Sequence, residues 1–310
     1  MTSPEDQPTT EDLVEAFGLR ELAPTSLTAW SRVFRAVTAD GRPVVVKRTA
    51  THRRNALAMA GWTRAAAAAG FPVVAPCDIG RENPQLVGSA WWVVYPWVEG
   101  PAYAGSLAEI HQAGDLLGRQ HALPVDASDL RPYHWPDVDE AEIATALDAL
   151  AGKVGDLRVL RELADRWVAV AVPTLRAATL PAVGVSSDYK ANNLVFTAAG
   201  PVLVDPDNGG LEPRLFDLAL AVLLFHHESP RAPGRLFDAR EWAVFRDAYT
   251  AHVRLSDEER TLWPVALDHL LWEEGSWALD DNDAVQWADP RQGAFLRDLA
   301  TTTPDRYPLD

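Results

Sequence analysis

Ser186-Ser187-Asp188-Tyr189-Lys190-Ala191-Asn192-Asn193-Leu194-Val195-Phe196-Thr197-Ala198-Ala199-Gly200-Pro201-Val202-Leu203-Val204-Asp205 is the stretch from which the fold is read. A polar loop runs into an apolar triplet at 194–196, a small turn at 197–200, a second apolar triplet at 202–204 and then Asp205. Two short apolar runs around a turn that contains glycine spell a hairpin. A hairpin brings its open ends together. Asn193, just before the first strand, therefore comes close to Asp205, just after the second, with Asp188 a few residues away on the entering loop. Three oxygen-bearing side chains at one end of a rigid hairpin suit a hard cation such as Mg2+ together with a phosphate. Asp and Asn also favour turns, so spacing alone leaves a plain turn and a strand cap open as well.

The 310 residues are enough for one large domain or two lobes with a substantial core. Cys77 is the only cysteine, which excludes an intrachain disulfide, and no Cys/His cluster has zinc spacing. The polar start lacks a basic-then-apolar leader, and no apolar run approaches the ~18 residues of a membrane span. The sequence therefore reads as cytoplasmic, with no membrane partner. A net charge of −16 argues against nucleic acid. The charge is unevenly placed: residues 1–100 hold 10 acidic and 10 basic side chains, residues 101–310 hold 34 and 18. A neutral first third and an acidic remainder suit different ligands, the second part attracting cations. A general acidic habit of the surface gives the same count.

Upstream of the hairpin, residues 1–10 read as disordered and Thr10 opens a short helix that ends near Gly18. Residues 27–38 and 44–48 read as strands around the turn Ala39-Asp40-Gly41-Arg42. Lys47 ends the second run; such a lysine can hold a phosphate as a point charge or guard a sheet edge. The turn at 26–32 contains no glycine. A helix at 51–69 stops at Gly70 and Pro72, and a strand at 90–94 is interrupted by Tyr95-Pro96-Trp97-Val98-Glu99-Gly100, where composition and charge change. That is the expected boundary between a lobe of residues 1–99 and one of residues 100–310. Ser106 with Glu109 and Ser256 with Glu259 are capping-box patterns, opening helices to about Ala122 and Leu279. Residues 129–136 read as a loop within an insert of about 129–182, whose two helices break at Gly152 or Gly155; C-terminal helices cover about 256–300. Strands first and helices after give an α+β fold of two lobes.

In that order, Val45-Val46-Lys47, the 95–100 segment, Asp188-Tyr189-Lys190-Ala191-Asn192-Asn193, Val204-Asp205 and Asp217-Leu218-Ala219 resemble the nucleotide-lysine strand, hinge, catalytic loop, metal segment and helix start of the aminoglycoside phosphotransferase family, a branch of the protein-kinase-like fold. The resemblance covers nearly the whole chain and implies a small β-rich N-lobe over a larger, mostly helical C-lobe. It implies ATP or GTP and Mg2+ as cofactors. Asp188 accepts or orients the proton of an attacking hydroxyl, Lys190 reaches the γ-phosphate, Asn193 and Asp205 hold the metal, and Lys47 holds the α- and β-phosphates. The Pro96 carbonyl and Val98 N–H pair the adenine edge, and Asp217 serves the helix N-terminus.

The chain departs from the family at Ser186 and Ser187, where a His and a Gly are usual. It also departs in the covering loop, which offers Trp30 and Ser31 instead of glycines, and in the helix at 51–69, which lacks the glutamate that pairs the lysine; His52 and Asn55 are the available substitutes. For the acceptor, Glu273, Glu274, Asp280, Asp281, Asp283 and Asp289 interleave with Trp272, Trp277 and Trp287. Asp207 joins that set, and Asp137, Asp139, Glu140 and Glu142 are candidates for a facing wall. Carboxylates and indole faces suit a polycationic ligand; solvated helix faces and core tryptophans fit the same pattern. The reading that follows is a kinase of a cationic antibiotic, a cyclic peptide of the capreomycin or viomycin type or an aminoglycoside. The alternatives are a metabolic kinase for homoserine, choline or methylthioribose, or a non-catalytic binding protein.

Overall fold

The computed structural model describes residues 8–28, 31–49 and 52–309; the disorder expected at residues 1–7 and the contribution expected of Trp30 lie outside them. Thr9 is already ordered. With Asp12 it forms a capping box that starts α1 (Thr10–Phe17), and Gly18 ends the helix at φ 62°. Five strands and one helix follow: β1 (Leu19–Leu22), β2 (Val33–Thr38), β3 (Pro43–Arg48), α2 (Arg53–Ala68), β4 (Gln85–Val87) and β5 (Ala90–Pro96). They make one sheet in the order β1-β2-β3-β5-β4, antiparallel at every pairing.

Alternation along β3 and β5 gives this sheet two unlike faces. Val44, Val46, Trp92 and Val94 bury against Leu13 and Phe17 of α1. Val93 and Tyr95 point the other way and pack with Val74, Val98, Val202 and Val204. Lys47 stands opposite Val93 in the register and shares that second face.

The hairpin packs on this face. β7 (Leu194–Thr197) and β8 (Gly200–Leu203) pair with Leu194 opposite Leu203, and β6 (Ala182–Val185) pairs with β9 (Gly210–Pro213) beside them. Leu203 accepts from Val74 N–H and donates to the Pro72 carbonyl, both at 2.9 Å, which ties the segment after α2 to β8.

Helices supply the remainder. The Ser106/Glu109 box starts α3 (Leu107–His121). α4 (Glu140–Val154) ends at Gly155, and α5 (Arg158–Arg166) runs through a π turn (Trp167–Ala171) into α6 (Val172–Ala177). α7 (Arg214–Leu224) is almost wholly buried, and α8 (Ala239–Thr250) follows. The Ser256/Glu259 box starts α9 (Asp257–Leu270), which continues through a second π turn (Leu271–Gly275) into α10 (Ser276–Asp281). α11 (Ala284–Ala288) and α12 (Gln292–Thr301) close the fold. No described helix is long and apolar enough to cross a membrane.

Several sequence expectations shift. The strand expected from Leu27 begins at Val33, because the Ser26 and Thr28 hydroxyls capture the backbone of Ser31 and Val33 and hold a loop there. β5 continues to Pro96, so the interlobe segment starts inside a strand. Asp217 lies in the fourth position of α7 and does not serve its N-terminus. Its Oδ2 faces His121 Nε2 of α3 at 3.0 Å, and His121 Nδ1 meets the Tyr249 hydroxyl of α8 at 3.0 Å. This buried polar chain holds three helices together.

α3 and α8 approach so closely that a Cβ on Gly114 would stand 2.3 Å from the Phe245 carbonyl oxygen, whereas one on Gly61, in α2, would meet nothing within 4 Å. Gly114→Ala forces two helix backbones apart and should cost about 1–3 kcal/mol. Gly61→Ala should stabilise by about 0.5–1 kcal/mol through helix propensity. Denaturant unfolding of the two variants therefore moves in opposite directions; a common sign would contradict the packing described.

Candidate active site

Lys47 is the penultimate residue of β3 and its side chain is 9 % exposed. A buried ammonium needs counter-charge, and two carboxylates beyond the hairpin supply it. Lys47 Nζ donates to Asp205 Oδ1 and faces Asp207 Oδ2 at 3.0 Å as an ion pair. Burial alone lowers the lysine pKa; the charges of Asp207 and Asp205 outweigh it and hold the group above its ordinary range. Burial, reinforced by Asp207, pushes the Asp205 carboxyl up against the pull of Lys47. The partners of Lys47 among the described residues are these two acids, not His52 or Asn55, the candidates the sequence offered.

The hairpin ends meet. Val204 N–H donates to the Asn193 carbonyl at 2.9 Å, which puts Asn193 beside Asp205. Asn193 Nδ2 donates to the Asp188 carbonyl and to Asp188 Oδ2, both at 2.8 Å. That leaves Asn193 Oδ1 for another partner. The loop is fastened from below by the Tyr189 hydroxyl, which donates to the Ala113 carbonyl of α3 at 2.7 Å, and by Ala191 N–H, which donates to the Phe225 carbonyl. Ser186, in the position of the usual His, is fully buried and its hydroxyl has no partner among the described residues.

Lys190 Nζ lies 3.2 Å from Asp188 Oδ1 and 3.5 Å from Glu228 Oε2. Glu228 has φ 58°, a left-handed backbone that is uncommon for a side chain of this kind. Burial lowers the Lys190 pKa, but Asp188 and Glu228 raise it above its ordinary value on balance.

Lys47, Asp188, Lys190, Asn193, Asp205, Asp207 and Ser31 all line one cleft of about 1550 Å3, and Glu273, Glu274, Trp277 and Asp281 line it too. Burial pushes Glu273 up to about 7, with the Glu274 charge adding. Burial likewise raises Glu274, helped by Asp188. Glu212, on β9, is a cleft residue the sequence reading missed, and burial pushes it up to about 7. Glu228, Arg131, Tyr133 and His134 were missed as well. Trp277 is 67 % exposed on the rim, whereas Trp272 is core.

Other expected residues fall elsewhere. Asp207 sits with the lysine, its Oδ1 accepting from Thr49 Oγ1 and the Tyr95 hydroxyl, both at 2.8 Å, and not with the acceptor carboxylates. Asp280 faces Lys153 of α4 at 2.8 Å, away from the cleft lining. Asp139 and Asp283 cap α4 and α11. Pro96 ends β5 opposite Val44, and Val98 packs on the face shared with the hairpin. Ser31 is held by Thr28, whose hydroxyl donates to the Ser31 carbonyl at 2.9 Å; hydroxyls fix this loop where glycines are usual.

A metal that fits here is a hard one. Asn193 Oδ1 and the Asp205 carboxylate are oxygen donors, and the Lys47–Asp205–Asp207 group carries a net negative charge. No cluster of three His, Cys, Asp or Glu side chains forms a cage among the described residues. Mg2+ needs none, since it keeps several ligands from water and phosphate.

Residues 25–261 match the model of the phosphotransferase enzyme family. The chain belongs to that family. Solved structures with the same fold include an amicoumacin kinase in complex with AMP-PNP, Ca2+ and its antibiotic (16 % identity over 98 % of this chain and 96 % of that one, TM-score 0.66). A spectinomycin phosphotransferase in complex with ADP and spectinomycin is also similar (13 % identity, 97 % and 100 % covered, TM-score 0.65). So is a microcompartment-associated aminopropanol kinase (13 % identity, 96 % of each chain, TM-score 0.59). No curated protein sequence matches. The phosphotransferase family and the protein-kinase-like architecture agree with the order of motifs in the sequence.

Glu212 and Glu273 yield a pH signature. A carboxyl raised to about 7 in the fold, against an ordinary 4.5, keeps its proton longer than in the unfolded chain. Stability therefore falls as pH rises from about 4.5 to about 7. Glu212→Gln with Glu273→Gln should flatten that fall by about 1–3 kcal/mol in urea unfolding at pH 5 and 7.5; equal slopes would show that the two groups ionise as in the free chain.

Proposed function

We propose that this phosphotransferase moves the γ-phosphoryl group of ATP, or GTP, to a hydroxyl of a cationic antibiotic, a cyclic peptide of the capreomycin or viomycin type or an aminoglycoside, and so inactivates it. Residues 1–99 form the nucleotide lobe and residues 100–310 the catalytic and acceptor lobe. The observation that carries the reading is the convergence of Lys47, Asp188, Lys190, Asn193 and Asp205 on one cleft that also holds Glu212, Glu273 and Glu274, raised by burial and none of them in an ion pair among the described residues. Two proteins of the same fold are an amicoumacin kinase and a spectinomycin phosphotransferase.

In this reading Lys47 binds the α- and β-phosphates, and the Pro96 carbonyl and Val98 N–H take the adenine edge. Ser31 lies in the loop that covers the phosphates. Asp188 takes the proton of the acceptor hydroxyl as its oxygen bonds to the γ-phosphorus and the bond to the β-phosphate oxygen breaks, releasing ADP. Lys190, exchanging its carboxylate partners for γ-phosphate oxygens, offsets their charge. Mg2+, held by Asn193 and Asp205, would neutralise charge on the phosphates. The acceptor's ammonium groups meet Glu273, Glu274 and Asp281, and Trp277 offers an indole face at the rim.

A small amino alcohol is the second reading, favoured by the likeness to an aminopropanol kinase; the several carboxylates at Glu212, Glu273, Glu274 and Asp281 favour an acceptor with more than one cation. Protein incubated with ATP and Mg2+ and a panel of basic peptide antibiotics, aminoglycosides, homoserine, choline and aminopropanol should add one phosphate to a cationic antibiotic, read by mass spectrometry. Modification of the small alcohols alone would sink the antibiotic reading. Asp188→Ala should lower kcat by about 10²- to 10⁴-fold with an unchanged melting temperature, and EDTA should stop turnover.

A further inference from the structure

The helix that follows β3 has no acidic residue: α2 reads Arg-Arg-Asn-Ala-Leu-Ala-Met-Ala-Gly-Trp-Thr-Arg-Ala-Ala-Ala-Ala. It offers no counter-charge for a lysine. Lys47 is nevertheless buried, and its two counter-charges differ in kind. Asp205 is more exposed, 28 % against 4 % for Asp207, and its second oxygen has no hydrogen-bond donor among the described residues. Asp207 is engaged on both oxygens. Oδ1 accepts from Thr49, two residues beyond Lys47 on the same chain, and from Tyr95 on β5. Oδ2 faces the ammonium. Its turn is fixed by the Gly209 N–H bond to the Pro206 carbonyl at 3.0 Å. A Cβ on Gly209 would stand 2.2 Å from the Val185 carbonyl oxygen, so the turn sits tight against β6.

We propose that Asp207 is the positioning residue for Lys47, doing from the segment after the hairpin what an acidic residue on α2 would otherwise do; this rests on Lys47 being a phosphate ligand. The two carboxylates divide the work. A cation engaged by Asp205 removes that partner from Lys47. Asp207, locked by Thr49 and Tyr95, keeps the ammonium aimed into the cleft. The pair of hydroxyls also links the aim of Lys47 to both β3 and β5, so the lysine moves with the sheet while its anchor belongs to the hairpin segment.

The test is calorimetric binding of ATP and of adenosine, each with Mg2+ and with EDTA, to the full chain. Asp207→Asn keeps an acceptor for Thr49 and Tyr95 and removes only the charge. It should weaken ATP about tenfold or more, in Mg2+ and in EDTA alike, with adenosine within about twofold. Added to Lys47→Met it should cost nothing further, because it acts through that lysine. Unchanged ATP affinity, equal loss of ATP and adenosine, additivity with Lys47→Met, or a loss confined to Mg2+ (Asp207 then being a metal ligand) would each overturn the proposal. Wild-type protein that binds neither ATP nor GTP overturns the nucleotide reading of the cleft instead. Where Asp207→Asn does not fold, Thr49→Val with Tyr95→Phe leaves every charge in place and unfastens only the orientation; a selective loss of ATP supports the role and an equal loss with adenosine refutes it.

Discussion

A lysine near the end of β3 cannot be buried without negative charge beside it, and this constraint sets how the two parts of the molecule meet. The charge is supplied from the segment just past the hairpin, so β3 and the hairpin are held in a fixed relation. Apolar packing agrees with it: Val93 and Tyr95 of the sheet lie on Val202 and Val204, and Leu203 is bonded on both sides to the chain after α2. The ion cluster is not strong evidence for stability, because desolvating three charges offsets much of their attraction. Its effect is on register. Shifting β3 by one residue would turn Lys47 to the α1 side and leave Asp205 and Asp207 facing each other uncompensated.

The loop that enters the hairpin obeys the same logic from the other side. Asp188 accepts from the Asn193 amide and faces Lys190, which is shared with Glu228. Neither Lys47 nor Lys190 is therefore free. Each is already balanced by two carboxylates, one of which lies on the hairpin segment or its entering loop. An anion that approaches either lysine would have to replace a carboxylate already in place, so charge would be exchanged and not merely screened.

What was legible in the sequence is local. The capping boxes at Ser106 and Ser256, the stop at Gly18 and the hairpin around Gly200 are each written in a few adjacent residues, and each appears where those residues put it. The strands β4, β6 and β9 are three or four residues long, too short for alternation to register, and β6 finds β9 only across the intervening hairpin. The site divides along the same line. Asn193 and Asp205 were readable because a hairpin joins its own ends. The partner of Lys47 was not, because it lies 160 positions away in the chain and not on the adjacent helix. A signal existed: Asp205-Pro206-Asp207 places two acids at i and i+2, on one side of an extended chain. Glu212 and Glu228 carried none, since a lone glutamate in a strand or a turn looks the same whether it faces solvent or a cleft.

Charge in the cleft constrains what can enter it. Its lining includes Asp188, Asp205, Asp207, Glu212, Glu228, Glu273 and Glu274, against Lys47, Lys190, Arg48, Arg131 and Arg291. A polyanionic nucleotide alone meets repulsion from most of this wall, whereas the same nucleotide carrying a divalent cation brings much of its own compensation. The glutamates work in the opposite sense for a cation. Glu212 and Glu273, raised to about 7 by burial, sit near half-ionisation at neutral pH. An arriving ammonium group favours their charged form, so they need not carry full charge into a buried wall before a cation is there to meet it. The empty cleft thus avoids much of the cost of desolvated carboxylates, and a cation entering it would shift these groups toward their charged form.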